Sequence, residues 1–284
     1  MKYPWNDYGG KLSPLKLVVF VALFLPAAWT AIAFATGNLG ARPLNEAIHQ
    51  QGLWTIRLIL VALAITPLRA ILHWPRLILV RRMVGVGAFA YVILHLSLYI
   101  ADENFRLLTV VSEIVRRVYL TIGFIALLGL AALAATSTDR MVRRLGRNWQ
   151  RLHWLVYPIC LLGLIHYSMQ SKLEQWEPTI ADGIFVWLML YRLAAARFAA
   201  RGRLALGWVA AIGVVATVLT ALGEALYFNL AFRVDPLRVL GADFSLQTGV
   251  RPASVVFAFS LIVVIAGAAR ARLAPPPRGR PRYA

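Results

Sequence analysis

The chain has one cysteine in 284 residues, Cys160, and it lies in an apolar run. An intrachain disulfide is excluded, as is any cluster that needs several thiolate ligands. No C-x-x-C-H occurs, so covalently attached c-type haem is excluded too. Charge is scarce, 15% of residues against about a quarter in soluble domains. Acidic residues are scarcest, 12 against 30 basic ones, which leaves a net charge of +18. Neither G-x-G-x-x-G nor a P-loop is present, and no connection between apolar runs is long enough to hold a soluble catalytic domain. Chemistry is left to the apolar part of the chain or to a partner.

That apolar part dominates. Hydrophobic residues make up 60% of the chain, and the mean hydropathy is +0.68. A chain both basic and this apolar reads as an integral membrane protein with its charges in the loops. Eight windows are long enough to cross a bilayer, at about 20 residues each: Leu15–Thr36, Leu53–Leu72, Met83–Ile100, Val118–Ala135, Leu152–Ser168, Ile180–Ala200, Leu204–Leu230 and Ala253–Ala269. The first is too long for the apolar core of a cleavable signal and is read as a transmembrane helix. The expected fold class is all-α, a polytopic membrane bundle.

Orientation follows from the loops. With a cytoplasmic N-terminus, the cytoplasmic side holds Lys2 to Lys16, the Arg69–Arg82 group, the Arg140–Arg151 group, the Arg192–Arg203 group and the five arginines from Arg270 onward, 21 of the 30 basic residues. Arg57 falls inside the second window, and eight remain for the other side. The positive-inside rule favours this orientation, with both termini cytoplasmic in a bacterial inner membrane. It also accounts for the net charge with lipid as the surrounding partner and no nucleic acid. The Pro- and Arg-rich tail from 274 to 284 is expected to be disordered.

Histidines are the ionisable groups that fit this picture least. His49 and His73 fall in expected loops, where solvation accounts for them. His95 lies in the third window and His166 in the fifth, and an ionisable group inside a span is costly. Both windows run outward from the cytoplasm. His95 follows the basic pair Arg81–Arg82 by thirteen residues, and His166 follows the interfacial His153 by the same number. At a rise of ~1.5 Å per residue both lie about 20 Å from the cytoplasmic face. Two histidines at one depth on two helices suit bis-imidazole ligation of a haem iron; the plainer alternative for each is a hydrogen bond to a neighbouring helix. Gly85, Gly87, Ala88 and Gly163 would let a flat macrocycle approach, or would serve ordinary close packing. His153 is out of phase with His166, since thirteen residues turn a straight helix by about 220°. Pro158 between them can change that phase. With Arg82 opposite it at the same depth, His153 is either a ligand with another partner, a possible second haem ligand, or a hydrogen-bonding group for a propionate or second cofactor.

The stretches "GNLGARPLNEAIHQQGLW", "ITPLR", "RRMVGVGAFAYVILHLSLY", "TSTDRMVRRLGRNWQRLHWLVYP" and "IHY" resemble the haem-binding membrane subunits of periplasmic methionine sulfoxide reductase systems, within the ferric-reductase-like transmembrane superfamily. The resemblance covers about residues 10 to 200. It implies an electron-transfer subunit with one b-type haem, or two, and FMN. The donor would be the quinone pool or a cytoplasmic flavin reductase, and the acceptor a periplasmic molybdopterin-containing catalytic subunit that repairs oxidised envelope proteins. The haem histidines of the family fall on His95, His153 and His166, and its FMN-linked arginines on Arg81 and Arg82. A basic pair at the membrane surface makes a sound phosphate clamp, although positive-inside charge alone also explains it. Two features depart from the family: Val118 stands where a proline is usual, and apolar windows continue past residue 200. The expected division is a six-helix core over 1–200, an additional hairpin over 201–273 and the tail. Glu224 in the seventh window is expected to pair or to reach toward the membrane edge. Two other classes compete: a transporter or channel, for which no internal repeat is found, and a stand-alone ferric-reductase-like cytochrome, which would need a nucleotide-binding domain.

Overall fold

Prolines divide the apolar windows into helices. The computed structural model describes residues 3–6, 9–172, 174–200, 203–243, 245 and 249–273. The tail expected to be disordered lies outside them, as do Lys2 and Arg201 of the topology argument. Among the described residues there are thirteen α-helices and no strand: α1 Pro14–Ala22, α2 Leu25–Ala35, α3 Pro43–Ile71, α4 Ile78–Asp102, α5 Leu107–Arg116, α6 Val118–Ala135, α7 Asp139–Leu145, α8 Arg147–His153, α9 Val156–Ser171, α10 Trp176–Phe198, α11 Leu206–Phe232, α12 Pro236–Asp243 and α13 Pro252–Leu273. Eight segments are long and apolar enough to cross a membrane, with α1–α2 and α8–α9 each counting as one. The protein is an all-α, multi-pass membrane protein of eight spans.

The first span is interrupted where a continuous helix was expected. Pro26 has no N–H to donate and crowds the carbonyl four residues before it. The hydroxyl of Tyr91, on α4, enters the gap: it donates to Leu23 O at 2.7 Å and accepts from Ala27 N–H at 3.1 Å. Those two backbone groups would have bonded each other in an unbroken helix. In lipid they have no water to turn to, so the inserted side chain satisfies both. The fifth span breaks at Trp154–Leu155, one turn before Pro158, the kink that this proline predicts.

Three further departures from expectation are local. α3 begins at Pro43, ten residues before the expected window, so His49 is an exposed helical residue and not a loop one. α5 was not expected. It carries Leu107, Leu108, Val111 and Val115 outward, as a helix lying in the membrane interface does. His73, at φ 52° in the turn after α3, is half-buried and not fully exposed. Burial, then Arg203 and Arg270, hold its pKa below the ordinary histidine value, which keeps the ring neutral beside two arginines.

Contacts divide the chain into two compact units. The first contains residues 1–64 and 79–182; the second contains 65–78 and 183–284. In the first, α6 packs along α9 and α5 lies on α6. In the second, α11 packs along α13 and against α12, with Trp187 wholly buried and its indole N–H on Ser260 Oγ at 3.1 Å.

Candidate functional site

His95 on α4 and His166 on α9 face each other in the first unit. Their ring centres are 6.4 Å apart and the ring planes cross at 83°. Each ring is anchored through the same nitrogen. His95 Nδ1 is 2.8 Å from the carbonyl of Ile48 on α3, and His166 Nδ1 is 2.7 Å from that of Tyr119 on α6. A carbonyl only accepts, so the proton of each neutral ring sits on Nδ1 and the lone pair is left on Nε2. That arrangement presents a ring nitrogen to a metal and orients it from behind.

Two glycines make room for the rings. A Cβ at Gly52 would lie 3.1 Å from the His95 imidazole, and one at Gly123 would lie 2.8 Å from that of His166. These are the close approaches to the histidine rings themselves. Gly87 and Gly163 meet the side chains of Leu23 and Ile56, and Gly85 faces open space. The phenol of Tyr119 stacks beside His166, with ring centres 6.2 Å apart.

The spacing can be tested against a cofactor. A metal–nitrogen bond of about 2.0 Å, plus roughly 1 Å from the nitrogen to the ring centre, puts two imidazoles on opposite sides of one iron about 6 Å apart. The observed pair fits. Among the described residues no group of three or more His, Cys, Asp or Glu is gathered to hold a bare metal ion. Two neutral imidazoles suit a metal that brings its other ligands with it.

His153 stands apart from this pair. Its ring stacks on Trp149, with centres 3.9 Å apart, and Nδ1 bonds the Trp149 carbonyl at 3.0 Å. Nε2 is 3.3 Å from Ser137 Oγ, a weaker contact because that hydroxyl already donates to Leu133 O at 2.7 Å. No second histidine faces it among the described residues. Both Arg81 and Arg82 are close enough to act on its charge. Arg82, at the start of α4, is ion-paired with Asp139 in the first turn of α7 at 2.6 Å, and both side chains are exposed.

One group of polar residues escaped the sequence reading. Arg57 on α3 reaches both carboxylate oxygens of Glu177 on α10, at 3.2 and 3.3 Å. It also lies over the Trp54 ring, 5.0 Å from its centre. The hydroxyl of Tyr167, next in sequence to His166, donates to Glu177 at 3.1 Å. A charge inside an apolar window was the available signal, but Glu177 lies 120 residues from Arg57, and no spacing rule links them.

A model of the ferric reductase like transmembrane component matches residues 51–164, the segment holding Gly52, Arg81, Arg82, His95, Gly123 and His153. Similar proteins include the "Protein-methionine-sulfoxide reductase heme-binding subunit MsrQ" of Rhodospirillum rubrum, 44% identical over 183 residues, which are 64% of this chain and 88% of that one. The protein of the same name from Caulobacter vibrioides is 44% identical over 178 residues, 62% of this chain and 85% of that one. The one from Xanthomonas campestris pv. campestris is 42% identical over 197 residues, 66% and 90% of the two chains. No solved structure matches. With identity at this level along nearly the whole length of these relatives, the chain belongs to the family of heme-binding subunits of protein-methionine-sulfoxide reductase, in the ferric-reductase-like transmembrane group.

Proposed function

We propose that the protein is the membrane electron-transfer subunit of a methionine sulfoxide reductase system, with a b-type haem held between His95 and His166. The observation that carries this reading is the pair of imidazoles 6.4 Å apart, each tied through Nδ1 to a backbone carbonyl. Bound haem supplies a one-electron carrier within the membrane. The residues supply its place. Ile48 O and Tyr119 O hold the tautomer and direction of the two rings, and Gly52 and Gly123 let those rings lie against α3 and α6. Arg57, Glu177 and Tyr167 form a charged, hydrogen-bonded patch joining α3, α9 and α10, suited to a haem carboxylate or to the electron acceptor.

Donor and acceptor are finer parts of the same proposal. Electrons come from the quinone pool or a cytoplasmic flavin donor and go to a periplasmic molybdopterin-containing catalytic subunit. Arg81, Arg82 and His153 gather at one edge, and a basic edge with an aromatic neighbour suits FMN or a donor's phosphate. Asp139, which already pairs with Arg82, would be displaced by it. His153, bonded to the carbonyls of Trp149 and Leu133, would exchange the second of these contacts for a cofactor there, a second haem included. An inner membrane with both termini cytoplasmic is supported by the distribution of basic residues. The division into a core over 1–200 and an added hairpin over 201–273 is supported by the relatives, whose matched length is under two thirds of this chain.

A reduced-minus-oxidised spectrum with haem quantitation on the purified protein tests the reading. The wild type should be red, with a low-spin b-type spectrum. His95→Ala and His166→Ala should each lose most of the haem, because each removes one of the two imidazoles that would hold its iron. His153→Ala should lose less. Normal haem content in both of the first two variants removes the ligand assignment.

A further inference from the structure

The second unit holds three charged side chains that the function above does not use. Arg251, just before α13, bonds Glu224 Oε1 through Nη2 at 2.6 Å and Asp243 Oδ1 through Nε at 3.2 Å. Glu224 is on α11 and Asp243 ends α12. Both carboxylates are buried, at 4% and 0% side-chain exposure, while Arg251 keeps 27%. The remaining oxygens, Glu224 Oε2 and Asp243 Oδ2, are buried and accept no hydrogen bond from any described group. The two carboxyl groups are brought together on one guanidinium, through its Nη2 and its Nε.

Two acceptors cannot bond without a hydrogen between them. Two ionised carboxylates at that range, buried and sharing one guanidinium, would leave an uncompensated negative charge. Among the described residues Arg251 is the cation that pairs with either carboxylate, one positive charge against two negative ones. One proton removes both difficulties. It turns one carboxyl into a donor to the other and makes the triad neutral, as in other carboxyl pairs that share a proton.

We infer that Glu224 and Asp243 form a proton-binding site in which one proton is shared between the two carboxyl groups that Arg251 holds together. The proton belongs to the pair, and either carboxyl carries it. The site ties the end of α12 to the middle of α11. It is independent of the haem reading and is built by residues 224, 243 and 251 of the second unit.

Infrared spectroscopy of the purified full-length protein at neutral pH reads this directly. The wild type should show the carbonyl band of a protonated carboxylic acid, shifted in D2O. Glu224→Gln and Asp243→Asn should each fold and each lose that band, since an amide supplies the bridging N–H in place of the shared proton. Thermal unfolding gives a second readout. Asp243, outside the spans, is raised above the ordinary carboxylate range by burial, against the pull of Arg251. A folded state that holds a proton released on unfolding loses stability as pH rises above about 4. The melting temperature of the Glu224→Gln protein should therefore gain on that of the wild type as pH is raised from the carboxylate range. Absence of the band in the wild type overturns the inference. So does a band that survives both substitutions, or failure of both amide variants to fold. Stabilisation of the wild type by sodium or potassium at fixed pH, lost in both amide variants, would mean that a metal cation occupies the site, and would overturn it as well.

Discussion

Two glycines of the first unit serve an end that the packing glycines of the second do not. In the first, Gly52 and Gly123 leave space that a histidine ring fills from a neighbouring helix. In the second, Gly183, Gly213 and Gly267 leave space for ordinary side chains: Thr220 and Val256, Ser260, and Ile71 with Leu206. The first arrangement presents imidazoles that still have a lone pair to offer. The second closes helix on helix, as small residues do in membranes, where apolar burial alone gives helices no reason to associate. The histidine pair and the second unit's buried triad differ in the same way. The histidine pair is bonded from behind, through Nδ1, whereas the arginine and two carboxyls of the second unit are bonded to each other. An open constellation suits a site, and a closed one suits a lock.

The largest effect that would sharpen this contrast comes from Gly123→Ala. The new methyl would sit 2.8 to 3.0 Å from the His166 ring, tighter than the 3.1 Å at Gly52. Overpacking of that kind costs ~1–3 kcal/mol, which is about one to two powers of ten in haem retention if the strain falls on the ligand. Haem titration should rank Gly123→Ala below Gly52→Ala, and Gly52→Ala below wild type. Gly85→Ala, with nothing within 4 Å, should keep full haem and gain up to about 1 kcal/mol of helix stability. Equal haem retention in all three variants breaks the distinction between ring-bearing and ordinary glycines.

The complementary change is Gly213→Ala. A Cβ there would run into the hydroxyl and Cβ of Ser260, which holds the Trp187 indole N–H. The expected result is a loss of ~1–3 kcal/mol of stability, read as a lower melting temperature in detergent, with haem content per folded protein unchanged. A parallel loss of haem would show that the glycines of the second unit also serve the site.

How much of this was legible depends on what produces each feature. A bilayer acts on composition over twenty residues, so all eight spans could be read from apolar windows. Helix rise is fixed, so the equal depth of His95 and His166 followed from counting. The breaks at Leu23–Phe24 and Trp154–Leu155 had their signals in Pro26 and Pro158. Lateral neighbours have no such rule. Nothing in the spacing puts Gly52 against His95 or Gly123 against His166. Glu224 was expected to pair, but its partners Asp243 and Arg251 belong to the connection between the last two spans, which has no period to read. Tyr91 was unremarkable in sequence because its role, closing the ladder between Leu23 and Ala27, belongs to another helix.

The smallest expected effects concern the basic edge, where fold and function make different demands on the same residues. Arg82 pairs with Asp139 in the open, at 47% and 74% side-chain exposure. Such pairs contribute about 0–1 kcal/mol, so Arg82→Gln should leave the melting temperature almost unmoved. If the edge only carries topology charge, replacing both Arg81 and Arg82 by Gln should also leave flavin-driven reduction intact. If it receives a phosphate, the double variant should weaken flavin retention and slow reduction from a flavin donor, while the haem between His95 and His166 stays in place. Charge-assisted, bidentate contacts favour guanidinium at such a site, so Lys at both positions should restore less than arginine does. Asp139→Asn supplies the opposite test, because it removes the carboxylate that competes for Arg82: flavin retention should rise slightly. Full flavin occupancy and full electron flow in the double Gln variant, with haem content normal, would reduce the pair to a topology signal. The donor site would then be sought among Arg143, Arg144, Arg147 and Arg151, on the helices leading to His153.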